Sequence, residues 1–522
     1  MKKIGRKEAI KIAFTVGLYA AFFVTRLFQL TELPEGFHLD EAGAAYDGWC
    51  LARYGVDRYL NSWPVYLINY GGGQSVLYAW LCALLFGLFG YHAVFVRLPA
   101  VIFSLLTLVF GMKLARRVYP DSEWLPFVVG AMIVFCPCFI LSGRMGLDCY
   151  LMLGASMVFL TAFLKALEAG KCRDYVIAGV SAGVVLYTYV LSYFILPLFL
   201  LLTLLYCIRT RRFVLKHWAS MGAVVFVLAI PLILVQIVNC FDLESFQIGI
   251  FTITRLGFYR ASELKGFTLD GFVEALSNLF VGDLLPYNSI PGYPNLFYIA
   301  WILLPVGLAG CVFRLVRSIR RRQFDPTAFL VFWFAAMLAL LSCMDSNVNR
   351  IIGIFGVAVL IEGEAVRLFW RIRNRKIVFG ATMATTLLCA VWFLQFGHYY
   401  YGVMYRFDYN PMDWFEITVP EAIDFLEEHP QWQGKGTWTD SSKIHYALSM
   451  QASPYDMQFS IGETRGQVGV YHLGGLGPIE EGYNYIVWDV YGEYAQELRT
   501  AGYLEESYDN YSLFYKEWSI VE

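Results

Sequence analysis

The stretch Gly36-Phe-His-Leu-Asp-Glu-Ala-Gly-Ala-Ala-Tyr-Asp-Gly48 comes directly after an apolar run from about Ile12 to Leu30. The run itself follows the charged start Met1-Lys-Lys-Ile-Gly-Arg-Lys7. Such a start also opens a signal peptide, but the run is too long for a cleaved one and no small-x-small site follows. It is read as an anchor that stays in place as a first membrane span. The Asp40-Glu41 pair then stands about ten residues beyond that span.

Composition supports the membrane reading. Of 522 residues, 58% are hydrophobic and 16% charged, against roughly 45–50% and 25% in a typical globular chain. Mean hydropathy is +0.52. A chain with so little polar surface cannot coat three or four water-soluble domains. The net charge of −2 gives no basic field for nucleic acid. Eleven cysteines are present, most of them in apolar runs and none after Cys389. No C-x-x-C or Cys/His metal spacing appears.

A bilayer core needs about 20 apolar residues per helix. Besides the first, runs of that kind lie near 94–112, 124–141, 149–164, 175–190, 193–208, 218–238, 296–313, 327–343, 351–369 and 377–396, making about eleven spans. Segment 75–90 is a further apolar candidate. With eleven spans and a cytoplasmic N-terminus, 25 of the 40 lysines and arginines fall in cytoplasmic segments, as positively charged inner loops require. A crossing at 75–90 would turn twenty of those charges outward, so this segment is expected to lie along the outer interface. Loops 31–93 and 239–295 and the tail are then external. The tail, 397–522, holds 20 acidic and 6 basic residues. Its alternating candidates (helix 420–429, strand 436–439, helix 442–450, strand 485–490, helix 493–501, strand 512–515) suggest a small α/β domain beside the membrane unit 1–396.

Candidate chemistry lies at the outer ends of the spans. Asp40, with Glu41, could take a proton from a hydroxyl acceptor, which is general-base work; the competing reading makes Asp40 the N-cap of an alanine-rich helix. His38 could tune that site or join Asp40 and Glu41 around a divalent cation. Arg144 and Asp148, four apart, are expected on one helical face. Arg97 and Arg350 open spans at the outer face, against the charge rule, and a guanidinium fork suits phosphate oxygens; snorkelling is the alternative, and is preferred for Arg26. Asp283 and Asn288 sit in a turn-rich loop that reads as a site loop or a plain connector. Gly71-Gly-Gly-Gln74 is not a phosphate loop, because no Walker lysine follows it.

Taken together, Leu39-Asp-Glu-Ala, Tyr78-Ala-Trp-Leu, Leu88-Phe-Gly and Arg97-Leu-Pro resemble the GT-C superfamily of membrane glycosyltransferases, nearest its protein O-mannosyltransferase and aminoarabinose-transferase branch. Arg144 to Asp148, Asp283 to Gly292 and Asn349-Arg350 are similar to weaker signatures of that family. The resemblance covers about residues 10–370. It implies a mainly α, polytopic fold in a bacterial-type plasma (inner) membrane. It also implies a sugar donor carried on a polyprenyl phosphate, and inverting transfer at the outer face to a hydroxyl of a glycan, lipid or protein acceptor. Asp40 would match the catalytic carboxylate, with Asp148 shaping the site and the arginines holding phosphate. Gly71-Gly-Gly-Gln74 departs from the Lys-Pro or Pro-Pro element that the branch often has there. Two rival readings are a secondary transporter or lipid flippase, which would carry charges mid-span, and a scaffold whose tail binds partners.

Overall fold

The computed structural model describes residues 5–70, 72–258, 263–281, 288–290, 292–408, 415–416, 419–508 and 510–517. The first half runs α1 (Arg6–Leu27), β1 (Phe37–His38), α2 (Leu39–Tyr54), β2 (Tyr66–Asn69), β3 (Gly72–Ser75), α3 (Leu77–Phe89), α4 (Ala93–Val118), α5 (Leu125–Phe135), α6 (Pro137–Leu141), α7 (Asp148–Ala169), α8 (Cys172–Leu186), α9 (Ser192–Arg209) and α10 (Leu215–Cys240). It continues with β4 (Phe246–Ile248), β5 (Phe251–Ile253), α11 (Leu269–Phe280), α12 (Ala300–Arg321), α13 (Thr327–Leu341), α14 (Val348–Trp370) and α15 (Arg375–His398).

Every expected span coincides with a helix, and 124–141 with the pair α5 and α6. Pro137 splits that pair: Cys136 before it is extended, as steric pressure from a following proline demands. Seven described helices are at least 18 residues long and apolar enough to cross a membrane. α3, with 13 residues, is one of three shorter apolar helices, beside α5 with 11 and α13 with 15. The described residues of loops 31–93 and 239–295 and of the tail gather at one end of the bundle, called here the site end. The opposite end is rich in ion pairs, among them Lys7–Glu123, Lys165–Asp174, Arg314–Asp325 and Arg367–Asp121 at 2.8–3.1 Å.

The bundle core is dense because small residues let backbones meet. Gly154 on α7 has no room for a Cβ, which would fall on the Phe103 carbonyl of α4. Gly307 on α12 is likewise closed by the Ile361 carbonyl of α14. This is the close approach that packs helices where water supplies no hydrophobic drive.

The tail forms β6 (Phe415–Glu416), α16 (Pro420–Glu428), β7 (Gly436–Thr439), α17 (Lys443–Ser449), α18 (Pro454–Met457), β8 (Gly466–Val468), β9 (Tyr471–Leu473), β10 (Tyr483–Val487), α19 (Glu493–Thr500), β11 (Leu504–Ser507) and β12 (Ser512–Tyr515). Its six-stranded sheet has the order β11-β12-β10-β7-β9-β8, with β7 parallel to both β10 and β9. All six expected tail elements are present. Strands β6, β8, β9 and β11 were not expected.

Gly154→Val and Gly307→Val should each destabilise the detergent-solubilised protein by about 1–3 kcal/mol through overpacking. Gly222→Val and Gly380→Val, where a Cβ meets nothing within 4 Å, should leave the melting temperature unchanged. Thermal unfolding of the four variants checks this.

Candidate active site

The two neighbouring carboxylates of α2 face opposite environments. The N-cap of α2 is His38, not Asp40: its Nδ1 accepts the Asp40 N–H at 3.2 Å, and Glu41 Oε2 accepts the His38 N–H at 3.2 Å. That is a capping box with histidine in the serine position. Burial holds the His38 imidazole below its ordinary value.

Glu41 is wholly buried. Its carboxylate receives Arg97 Nε at 2.8 Å and Nη2 at 3.3 Å, and the Gly146 N–H at 2.7 Å. Arg97, also wholly buried, donates further to the carbonyls of Leu30, Pro34 and Gly36 at 2.7, 2.9 and 2.6 Å. All five of its N–H donors are thereby spent on protein groups.

Arg144 behaves the same way. It donates to Tyr400 Oη and to the carbonyls of Thr25, Arg26, Gln29 and Leu33, at 2.9–3.3 Å. Arg97 and Arg144 together pin the segment that joins α1 to β1. Neither has a donor left for a phosphate, which corrects the expectation for both. Glu41 is corrected too: it is the counter-ion of Arg97, with no surface open to a substrate.

Arg144 and Asp148 do not share a helical face. Arg144 precedes α7 in a glycine-containing turn, and Asp148 is the first residue of α7. Gly146 lets that turn press on Glu41, whose Cγ lies 2.7 Å from where a Cβ would stand. Asp148 Oδ2 accepts the Ser75 N–H at 3.0 Å and Oδ1 the Cys149 N–H at 2.8 Å.

Asp40 points the other way, with 43% of its side chain exposed. Asn69 Nδ2 donates to its Oδ1 at 2.6 Å, and Gln74 Nε2 reaches its backbone carbonyl at 3.4 Å. The antiparallel hairpin β2–β3 thus joins Asp40 to Asp148 through Ser75. Asn69 Oδ1, Gln74 Oε1, Ser75 Oγ, Tyr70 Oη and Tyr193 Oη are buried without a hydrogen-bond partner among the described residues. Buried polar atoms of this kind are rare and call for an explanation. Here they cluster beside an open carboxylate at the end of the bundle, which suits a polar substrate.

Arg350 donates to Glu263 Oε2 at 2.5 Å and to the Asp345 carbonyl at 2.6 Å. Asn288 is buried, with neither amide atom paired among the described residues, and Asp283 lies outside those residues. His38, Asp40 and Glu41 do not form a ligand set, because Glu41 is turned into Arg97; no group of three metal-binding side chains occurs among the described residues.

The tail contributes to this site, which the sequence did not suggest. β6 pairs antiparallel with β1, setting Phe415 opposite His38 and Glu416 opposite Phe37. His445 of α17 lies 2.7 Å from Glu416 and shares a hydrogen bond with the Phe37 carbonyl at 2.9 Å through Nε2. Tyr46 and Trp49 of α2 donate to the carbonyls of Ala452 and Gln451 at 3.1 and 3.2 Å. Glu416 raises the His445 pKa despite burial, while His445 and Ser442 hold Glu416 below the ordinary carboxylate value. The stabilisation from this pair is full between the reference values of 4.5 and 6.5. It is lost as pH rises through the raised imidazole pKa, or falls through the depressed carboxylate pKa.

Hydrogen exchange of residues 37–38 and 415–416 should therefore speed up as pH is raised past the His445 transition, beyond the intrinsic pH effect. His445→Gln should remove that extra step. Arg97→Gln should destabilise the fold by about 3–5 kcal/mol, because it strands a buried carboxylate; adding Glu41→Gln should recover part of the loss in thermal unfolding.

Comparison with known proteins fits this geometry. Residues 74–235 match the family model of dolichyl-phosphate-mannose-protein mannosyltransferases. No curated protein matches by sequence search. The structure of ArnT from Cupriavidus metallidurans bound to undecaprenyl phosphate is similar, with TM-score 0.53 and 13% identity, over 97% of this chain and 98% of that one. Apo ArnT gives TM-score 0.50 and 15% identity over 78% and 67%. The chain has the GT-C fold, and its residues 74–235 carry the sequence signature of the dolichyl-phosphate-mannose-protein mannosyltransferase family.

Proposed function

We propose that this protein is a glycosyltransferase. In this reading it takes a sugar from a polyprenyl-phosphate carrier and passes it to an acceptor hydroxyl at the outer face of the membrane, with inversion. The observation that carries the reading is Asp40. It is an exposed carboxylate at the N-terminus of α2, steadied by Asn69 Nδ2 and set among buried amide oxygens and hydroxyls that have no partner among the described residues. The fold and the family match support it, and so does the undecaprenyl phosphate bound to the similar ArnT.

The chemistry follows from the parts. Asp40 takes the proton of the acceptor hydroxyl as its oxygen bonds to the anomeric carbon. The bond from that carbon to the phosphate oxygen breaks, and its electron pair leaves with the lipid phosphate. Asn69 Nδ2 holds one carboxylate oxygen, so the other is aimed without an entropic search. Asp148, tied to the same hairpin through Ser75, keeps the opposite wall of the site in register. The sugar and the acceptor are set by contacts with the unpartnered polar groups.

Asp40→Asn keeps the shape and the Asn69 contact but removes the base. Transfer from a polyprenyl-phospho-sugar in proteoliposomes should fall by about 10²- to 10⁴-fold, at an unchanged melting temperature. Retention of wild-type transfer would eliminate Asp40 as the base.

A further inference from the structure

Arg58 occupies an unusual position beside the same helix. α2 ends at Gly55, which takes the left-handed conformation with φ 72°, and the chain turns back on itself. Asp57 fixes that turn by accepting the Tyr59 and Asn61 N–H groups at 2.9 and 2.8 Å. Arg58 is folded onto α2 and clamped by Asp47. Asp47 Oδ1 accepts both the Arg58 backbone N–H and Nε at 3.0 Å, and Oδ2 accepts Nη2 at 2.7 Å.

That clamp uses only one edge of the guanidinium. Nη1 is buried, and neither of its N–H groups has an acceptor among the described residues. Its place is known from Gly43: a Cβ there would stand 2.7 Å from Nη2 and 3.1 Å from Nη1. The guanidinium therefore packs against α2 at Gly43. Asp40, Gly43 and Asp47 are spaced i, i+3 and i+7, so they share one face of α2. Gly43, against which the guanidinium rests, is thus one helical turn from Asp40.

A second unpartnered donor sits nearby. Tyr70 is at the tip of the β2–β3 hairpin with φ 48°, a left-handed conformation that a tyrosine rarely adopts. Its hydroxyl is buried without a partner among the described residues and lies in the fields of Arg58 and Asp40. A buried charged donor left unsatisfied is costly. Such a cost persists where a ligand supplies the acceptor.

We propose that Arg58 Nη1 and the Tyr70 hydroxyl form an oxyanion subsite that holds the phosphate group of the donor. This rests on the function proposed above and assigns the role that Arg97 and Arg144 are too fully bonded to play. Asp47 is a positioning residue that presents Arg58, and Gly43 is the gap that admits it.

The test is binding to the full-length protein in nanodiscs, with undecaprenyl phosphate, undecaprenol and inorganic phosphate as probes. Tyr70→Phe removes a hydroxyl that has no partner among the described residues, so it should fold normally. It should weaken undecaprenyl phosphate binding by about tenfold, the worth of a hydrogen bond to a charged group, and leave undecaprenol binding unchanged. Arg58→Lys, which keeps a cation against Asp47, and Gly43→Ala, which displaces the guanidinium, should weaken it at least as much. Wild-type binding of the lipid phosphate with Tyr70→Phe and Arg58→Lys within twofold would overturn the subsite and leave the proposed function standing. Absence of wild-type binding would overturn both. Inorganic phosphate that binds as tightly as the lipid phosphate would assign the subsite to free phosphate and overturn the lipid-linked assignment.

Discussion

The buried pair between Glu41 and Arg97 decides how two adjacent carboxylates divide their work. A helix presents residues i and i+1 about 100° apart, so one of them can turn inward while the other stays open. Arg97 takes Glu41 and, with its remaining donors, three backbone carbonyls of the segment 30–36. Arg144 takes four more between Thr25 and Leu33. Two guanidinium groups thereby replace the regular hydrogen bonding that the connection between α1 and α2 lacks. The start of α2 is fixed as a consequence, and Asp40 has one direction in which to face. A low dielectric makes such a network strong when complete and costly when broken.

Three distant parts of the chain meet at Asp40. The capping segment 37–41 supplies the carboxylate, and the hairpin β2–β3 supplies amides and hydroxyls. The tail supplies β6 and His445, which close over β1 from far along the chain. The tail thus braces β1 and α2, the segment that carries Asp40, as well as forming an α/β unit. Its hydrophobic face is continuous with the membrane unit: Tyr46 of α2 packs on Phe459 and Tyr54 on Tyr455.

Much of this was legible from the sequence. The spans announce themselves because lipid demands long apolar helices, and lysine and arginine counts argue for 75–90 along the outer interface. Asp40 stood out for its place just beyond the first span. What stayed hidden is what depends on pairing at a distance. Arg97 and Arg144 look like phosphate binders in a sequence, because a free arginine fork suits phosphate; that their forks are filled by backbone carbonyls is visible only in three dimensions. Histidine as the cap of α2 was concealed by Asp40, a stronger cap by propensity. Arg58 was overlooked because its signal, Asp47 eleven residues earlier, crosses a turn rather than a single helical repeat. Strands β8 and β9 are only three residues long, too short for an alternation to register, and β11, Leu-Glu-Glu-Ser, has one apolar residue in four.

The claim beneath the whole account is that the carboxylate at position 40 is open to the outer aqueous side while its neighbour is locked inside. Labelling of an Asp40→Cys variant with a membrane-impermeant maleimide in intact cells addresses it directly, with the native cysteines as background. The account expects prompt labelling without permeabilisation. Labelling that appears only once the cytoplasm is opened would contradict it.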